Sequence, residues 1–187
     1  IIVVAAAGNA NANNDLFAQY PAAFPFDNVI SVMATTRTDD RWPSSNYGAT
    51  SVDLAAPGHQ ILSTYIGSDS AYISLSGTSM AAPCVAGAVA LLRARFPAFD
   101  HRQIINRLLS TVDSLPSLQG RCVTGGRLNL KRALGEGDFA SQAVPFSWVA
   151  TNGMTPMTLS ADGISAAIPL SFPFRFYGQD YSQFYVG

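Results

Sequence analysis

The sequence predicts an α/β domain built on a parallel sheet, followed by the first part of an all-β module. Three stretches carry that expectation. Ile1 to Ala7 is a continuous apolar run ending at Gly8-Asn9, the pattern of a strand buried on both faces of a parallel sheet. Cys84 to Leu92 is a run of small and apolar helix formers led in by Gly77-Thr78-Ser79. From Ser147 to Gly187, apolar and polar residues alternate between Gly, Pro and Asn turns, as in strands with one solvated face.

Composition limits what such a chain can do. With 187 residues, 48% of them apolar and 12% charged, it can bury a substantial core and is no disordered segment. A net charge of -1, with Lys and Arg scattered, offers no patch for nucleic acid or an anionic membrane. No apolar run reaches the roughly 18–20 residues that a membrane span needs.

Taken in order, the first strand delivers Asn9 to its carboxyl end, where open α/β sheets gather functional groups. The Asn9 amide can donate to a developing negative charge or can simply shape a turn after glycine. Asn11 to Gln19 reads as a polar loop, continued by Tyr20-Pro21-Ala22-Ala23-Phe24-Pro25. Val29 to Ala34 and Ser51 to Ala56 are a second and a third strand. Between them, Thr35 to Thr50 carries Pro43 and Gly48 and reads as a surface connection, with Asp39, Asp40 and Arg41 in a solvated turn. Ile61 to Tyr65 and Ala71 to Leu75 are further strands, the second leading to Gly77.

A helix is expected from about Ser79 to Phe96, buried because its first three turns are apolar all round. Pro83 is tolerated in its first turn, Arg93 and Arg95 suit its negative end, and Pro97 follows its stop. Ser79 stands at its N-terminus, where N–H groups lack partners and the dipole is positive; serine is also a preferred cap there. Asp100, with Gln103 three residues on, starts a second helix whose Ile104, Ile105, Leu108, Leu109 and Val112 share one face. A short helix, Asn129 to Leu134, closes at Gly135. Cys84 and Cys122 either pair, which needs Cα atoms within about 7 Å, or Cys84 packs as a small hydrophobe. His59, in the Pro57-Gly58 turn, and His101, at the start of the second helix, read as solvated histidines.

The segment Gly77-Thr78-Ser79-Met80-Ala81-Ala82-Pro83 resembles the nucleophile motif of subtilisin-like serine proteases. The similarity continues in Val85-Ala86-Gly87, Ala5-Ala6-Ala7-Gly8-Asn9, Ala56-Pro57-Gly58 and Gly125-Gly126-Arg127-Leu128-Asn129, in the family's order over about residues 1–135. It implies that residues 1–136 are the C-terminal part of a subtilisin-like catalytic domain. Residues 137–187 would be the N-terminal part of a β-rich accessory domain beyond the polar linker Glu136-Gly137-Asp138; Pro173-Phe174-Arg175-Phe176-Tyr177-Gly178 resembles such modules in secreted bacterial enzymes. The chain then reads as an internal piece of a longer, secreted or cell-surface polypeptide.

For function the resemblance implies a serine endopeptidase acting on polypeptides, with Ser79 as nucleophile and the Asn9 side chain and Ser79 N–H holding the oxyanion. The triad Asp and His precede the serine in this family, so both are expected upstream of Ile1. Ala6, Ala7 and Gly8, with Gln19 near its base, would line the primary specificity pocket. The chemistry needs no cofactor. Carbonyls of Ala22 and Phe24 with the Asp53 carboxylate would form a structural calcium site, the alternative being a solvated loop beside a strand-end carboxylate. Cys84 departs from the family, which carries a non-catalytic His there. Two other readings remain: a sedolisin-like peptidase, against which Asn9 argues because that family places Asp there, and a degenerate scaffold or adhesive module, against which the intact Ser79 and Asn9 argue.

Overall fold

In a computed structural model of the chain, residues 1–68 and 70–135 are described in full, together with the backbone of two strands at residues 168–176 and 179–184. The elements are β1 (Val3–Ala6), β2 (Val29–Thr35), β3 (Leu54–Pro57), β4 (Ile61–Thr64), β5 (Tyr72–Leu75), α1 (Thr78–Arg95), α2 (His101–Ser110), β6 (Asp113–Ser114), β7 (Gly126–Arg127), α3 (Leu130–Leu134), β8 (Ile168–Phe176) and β9 (Gln179–Phe184). They fall into two units, residues 1–141 and 142–187.

The first unit is an α/β fold on a sheet of order β1-β2-β3-β7-β6. β1, β2, β3 and β7 run parallel, and β6 pairs antiparallel with β7. Side chains alternate across the sheet, as strand geometry requires. Ile30, Val32 and Ala34 of β2 and Leu54 and Ala56 of β3 meet Ala81, Val85, Ala88 and Leu92 of α1 and Ile104, Ile105 and Leu108 of α2. Met33 and Ala55 face the other way, onto Ala7, Val52, Leu118 and Cys122. Ile30, Leu54, Leu92, Ile104 and Leu108 are fully buried, each contributing roughly 1.5–3 kcal/mol.

Three expectations are corrected. Among the described residues β1 is not buried on both faces but is the sheet's edge strand, with Val3 37% exposed. α1 is not buried all round. Thr78, Ala81, Val85, Ala88 and Leu92 form its covered stripe, whereas Ser79, Pro83, Ala86, Ala90 and Leu91 are open. The apolar composition was right, but only one side meets the sheet among the described residues. The stretch from Thr35 to Thr50 is not wholly a surface connection, because Ser45 and Asn46 are fully buried, Ser45 bonded to Ala34 of β2 and Asn46 to Ala7 just beyond β1. Polar residues hide there because each is paired.

Other features agree with expectation. Asp100 accepts from Gln103 N–H at 2.8 Å and Gln103 Oε1 accepts from Asp100 N–H at 2.8 Å, completing a capping box for α2. Asn129 caps α3, which ends at Gly135. Cys84 and Cys122 are both free thiols, so they do not pair; burial raises both pKa values. Separately, β8 and β9 of the second unit pair antiparallel, which leaves the expected accessory domain untested. The linker Glu136-Gly137-Asp138 and the alternating stretch from Ser147 to Ala167 lie outside the described residues. Among the described residues no helix is long and apolar enough to cross a membrane.

Candidate active site

The carboxyl end of β1 and the N-terminus of α1 meet, and Thr78 joins them. Its side chain, fully buried, accepts from Gly8 N–H at 3.1 Å and donates to Asn9 Oδ1 at 3.0 Å. Thr78 N–H also donates to Asn9 Oδ1, at 2.9 Å. A backbone N–H can only donate, so the oxygen of the Asn9 amide must face Thr78 and the NH₂ must face away. Two residues some 70 positions apart thus fix the amide's orientation without using its donors.

The first turn of α1 has four N–H groups with no intrahelical partner. Gly77 N–H goes to Gly58 O at 2.7 Å, Thr78 N–H to Asn9, and Met80 N–H to Gly77 O at 3.0 Å. Ser79 N–H remains, with no acceptor among the described residues. The Ser79 hydroxyl is exposed and has no hydrogen-bond partner among them either. An exposed hydroxyl, a free N–H and an oriented amide NH₂ therefore gather where the helix dipole favours negative charge. Such a place can hold an anion that forms on a substrate bonded to Ser79.

Gly8 turns the chain into this site with φ 112°, a left-handed value that favours glycine, and a Cβ there would stand 2.5 Å from Asn46 Nδ2. Asn46 ties down the loop beyond it. Its Nδ2 donates to Ala7 O at 3.1 Å and to Asn14 Oδ1 at 3.0 Å, and its Oδ1 accepts from Ala10 N–H and Ala12 N–H. Asn14 Nδ2 also donates to Ala7 O, at 2.8 Å. Of the expected pocket residues, Ala6 is half-buried and Gln19 is exposed with its Cγ near Gly8. The Ala7 methyl is in the core, so only its backbone borders the site.

Sequence reading missed the parts played by Thr78 and Asn46. Gly-Thr-Ser marked the helix start, but nothing local shows that Thr78 binds residues 8 and 9. Asn46 sits in a polar stretch that reads as solvated.

Neither histidine stands ready as a base. His101 Nε2 lies 3.3 Å from Asp27 Oδ1, while the Arg102 hydrogen bond, with His101 adding, holds Asp27 below the usual carboxylate range. That pair follows the far end of the 18-residue helix α1, about 24 Å along the axis from Ser79. His59 is engaged with Ser76 and Trp42.

Asp53 borders a cavity of about 290 Å³ lined by residues 22–26, Ala22 and Phe24 among them, with Val29, Thr50 and Ser51. Its Oδ2 accepts from Ser31 N–H at 2.7 Å. Burial raises its pKa, against the lowering effect of that bond. Ser31 Oγ is buried with no partner. A half-buried carboxylate at a cavity bordered by the carbonyl-bearing residues 22–26 has the oxygen donors that a hard cation takes. Among the described residues no three of His, Cys, Asp and Glu gather anywhere, so Asp53 stands there without a second carboxylate or imidazole ligand cluster.

A model of the subtilase family matches residues 1–137. Subtilisin BL of Lederbergia lenta is 44% identical over 117 residues, covering 63% of this chain and 40% of the relative. A solved protease from Pseudoalteromonas arctica superposes with a TM-score of 0.61 at 34% identity, over 71% of this chain and 42% of that one. A chain from a structure of subtilase cytotoxin assembly gives 0.63 at 28% identity, over 71% and 48%. The chain thus spans less than half the length of each.

Proposed function

Because the chain belongs to the subtilase family of serine proteases, we propose that it supplies the nucleophile and oxyanion site of an enzyme that hydrolyses peptide bonds. The observation that carries this is the arrangement at Ser79. An exposed hydroxyl adjoins its own free N–H and an Asn9 amide whose oxygen is already engaged. Ser79 Oγ attacks the substrate carbonyl carbon, the carbonyl π electrons move to oxygen, and the oxyanion is met by Ser79 N–H and Asn9 Nδ2. Collapse expels the amine and leaves an acyl-enzyme, which water hydrolyses. The hydroxyl needs a base to become a nucleophile. His59 and His101 are committed elsewhere, so the base and its orienting carboxylate come from the part of the fold that these residues do not include. Membership of the family supports a secreted or cell-surface setting.

The substrate side chain before the scissile bond packs against the backbone of Ala6, Ala7 and Gly8, with Gln19 at its base. Among the described residues that would line it, Ala6, Ala7, Gly8 and Gln19, none carries a charge to select Lys or Arg, so a preference for large apolar residues is expected. Cleavage of a peptide library by the full-length protein tests both points. Cuts after Phe, Tyr, Leu or Met are expected. Strict cleavage after basic residues would overturn the pocket assignment, and no cleavage of any peptide would overturn the enzyme.

A structural cation at Asp53 is proposed on the grounds given above; carbonyls of Ala22 and Phe24 complete its donors, and it adds stability rather than chemistry. The sign of its pH dependence follows from the raised Asp53 pKa. The folded protein without metal binds a proton there more tightly than the unfolded chain. It therefore loses stability as pH rises from the ordinary carboxylate value through the folded one. Calcium offsets that loss only above this range, where Asp53 is ionised. At pH 7 a few-fold excess over Kd should raise the melting temperature by a few degrees, on the order of 1 kcal/mol. Thermal melts with calcium and with chelator check this. The increment should vanish at about pH 3 and in Asp53→Asn.

A further inference from the structure

Opposite the Asn9 clamp, a second set of contacts holds the turn that carries Ser79. The segment Gly58-His59-Gln60, between β3 and β4, meets Ser76-Gly77 at three points. Gly77 N–H donates to Gly58 O at 2.7 Å, Gln60 N–H donates to Ser76 Oγ at 2.9 Å, and Ser76 Oγ lies 2.9 Å from His59 Nδ1. Gly58 leaves no room for a side chain: a Cβ there would stand 2.6 Å from Ala34 Cβ and 2.7 Å from Gly77 O. Gln60 is held at φ 55°, a conformation that non-glycine residues seldom adopt without surrounding constraint. The His59 ring lies over Trp42, with centroids 6.3 Å apart and planes 23° from parallel.

One direction of the His59 contact uses the Ser76 hydroxyl proton within the described residues. Ser76 Oγ already accepts from Gln60 N–H, and no described residue other than His59 is placed to take its proton. A hydroxyl has one donor to give. The complete arrangement has Ser76 Oγ–H donating to Nδ1, with the imidazole neutral and its proton on Nε2. We propose that His59 is a positioning residue for Ser79: by accepting the Ser76 hydroxyl proton it fixes the turn from which the nucleophile projects. This rests on Ser79 being the nucleophile. His59 touches neither substrate nor the reacting atoms.

Ring packing and hydrogen bonding at His59 separate cleanly by substitution in the full-length protein. His59→Phe keeps a ring on Trp42 and loses the acceptor. His59→Asn loses the ring and keeps an acceptor where Nδ1 stood. His59→Phe should lower kcat about five- to tenfold with KM unchanged, Ser76→Ala, which also removes the acceptor of Gln60 N–H, should lower it at least as much, and the double variant should be no worse than Ser76→Ala, because the bond to His59 is already gone there. His59→Asn should stay within about twofold of the parent. A fully active His59→Phe, an Asn variant no better than Phe, or effects that multiply would each overturn the proposal. Should the variants fail to fold, the ring nitrogens of the parent give the answer by ¹⁵N NMR. An unprotonated Nδ1 with Nε2–H supports the proposal, and an Nδ1–H tautomer overturns it. A parent that a fluorophosphonate does not label at Ser79 would instead defeat the nucleophile assignment, while the tautomer still reports on the bond.

Discussion

Ser79→Ala in the full-length protein should lower kcat by about 10⁶, the size of loss that removing the serine of a subtilisin-type triad produces. Substrate affinity should change little, because the hydroxyl is small and the pocket is built from residues 6–8 and Gln19. The same position should be the one that a fluorophosphonate labels. Its phosphorus accepts the Ser79 oxygen and expels fluoride, leaving a tetrahedral adduct whose oxygen occupies the place of the oxyanion. Peptide mapping by mass spectrometry checks this directly. Label on another residue, with Ser79 unmodified, would remove the foundation of the functional reading. Retained turnover in Ser79→Ala would do the same.

Asn9→Ala should lower kcat by about 10²–10³, the figure attached to the corresponding subtilisin amide, with KM nearly unchanged. The reason lies in how the side chain is bound. Its oxygen already takes two hydrogen bonds from Thr78, so its NH₂ is fixed before any substrate arrives and need not reorganise when charge develops. A loss appearing only in KM would mean that Asn9 binds the ground state. Thr78→Val offers a control on this account. It keeps the N–H that orients the amide but deletes the hydroxyl, so it should fall between the parent and Asn9→Ala in kcat.

What could be read from the chain alone was local. The α2 cap, with Asp100 and Gln103 three residues apart, is written in four consecutive positions, and the structure has it bond for bond. The same holds for Asn129 and Gly135 at the ends of α3. β1, β2 and β3 are apolar runs whose existence was plain, although β3 begins at Leu54 rather than Ser51. Misreadings came from information that periodicity does not hold. Apolar composition in α1 and β1 predicts burial only if something lies on every side. The two-residue strands β6 and β7 are too short to show any period, and they exist because Ser114 and Gly126 happen to face each other. Ser79 and Asn9 were found through a motif. Thr78, Asn46 and His59 could not be placed, since each acts on residues between 17 and 70 positions away.

That separation governs when the site comes into being. The bonds from Thr78 to Gly8 and Asn9 close a loop of about 70 residues, and β1, β2 and β3 are parallel strands that must find partners without a tight turn. Contacts between distant positions form late, because the chain must give up the entropy of closing the loop before they can contribute. The helix bearing Ser79 and the hairpin of β4 and β5 are local and can appear early. Asn9 acquires its orientation only when the sheet has brought β1 to the helix. On the proposed reading, a refolding molecule therefore has Ser79 on a formed helix while the Asn9 side of the site is still open, and activity of the full-length protein should trail its secondary structure in time.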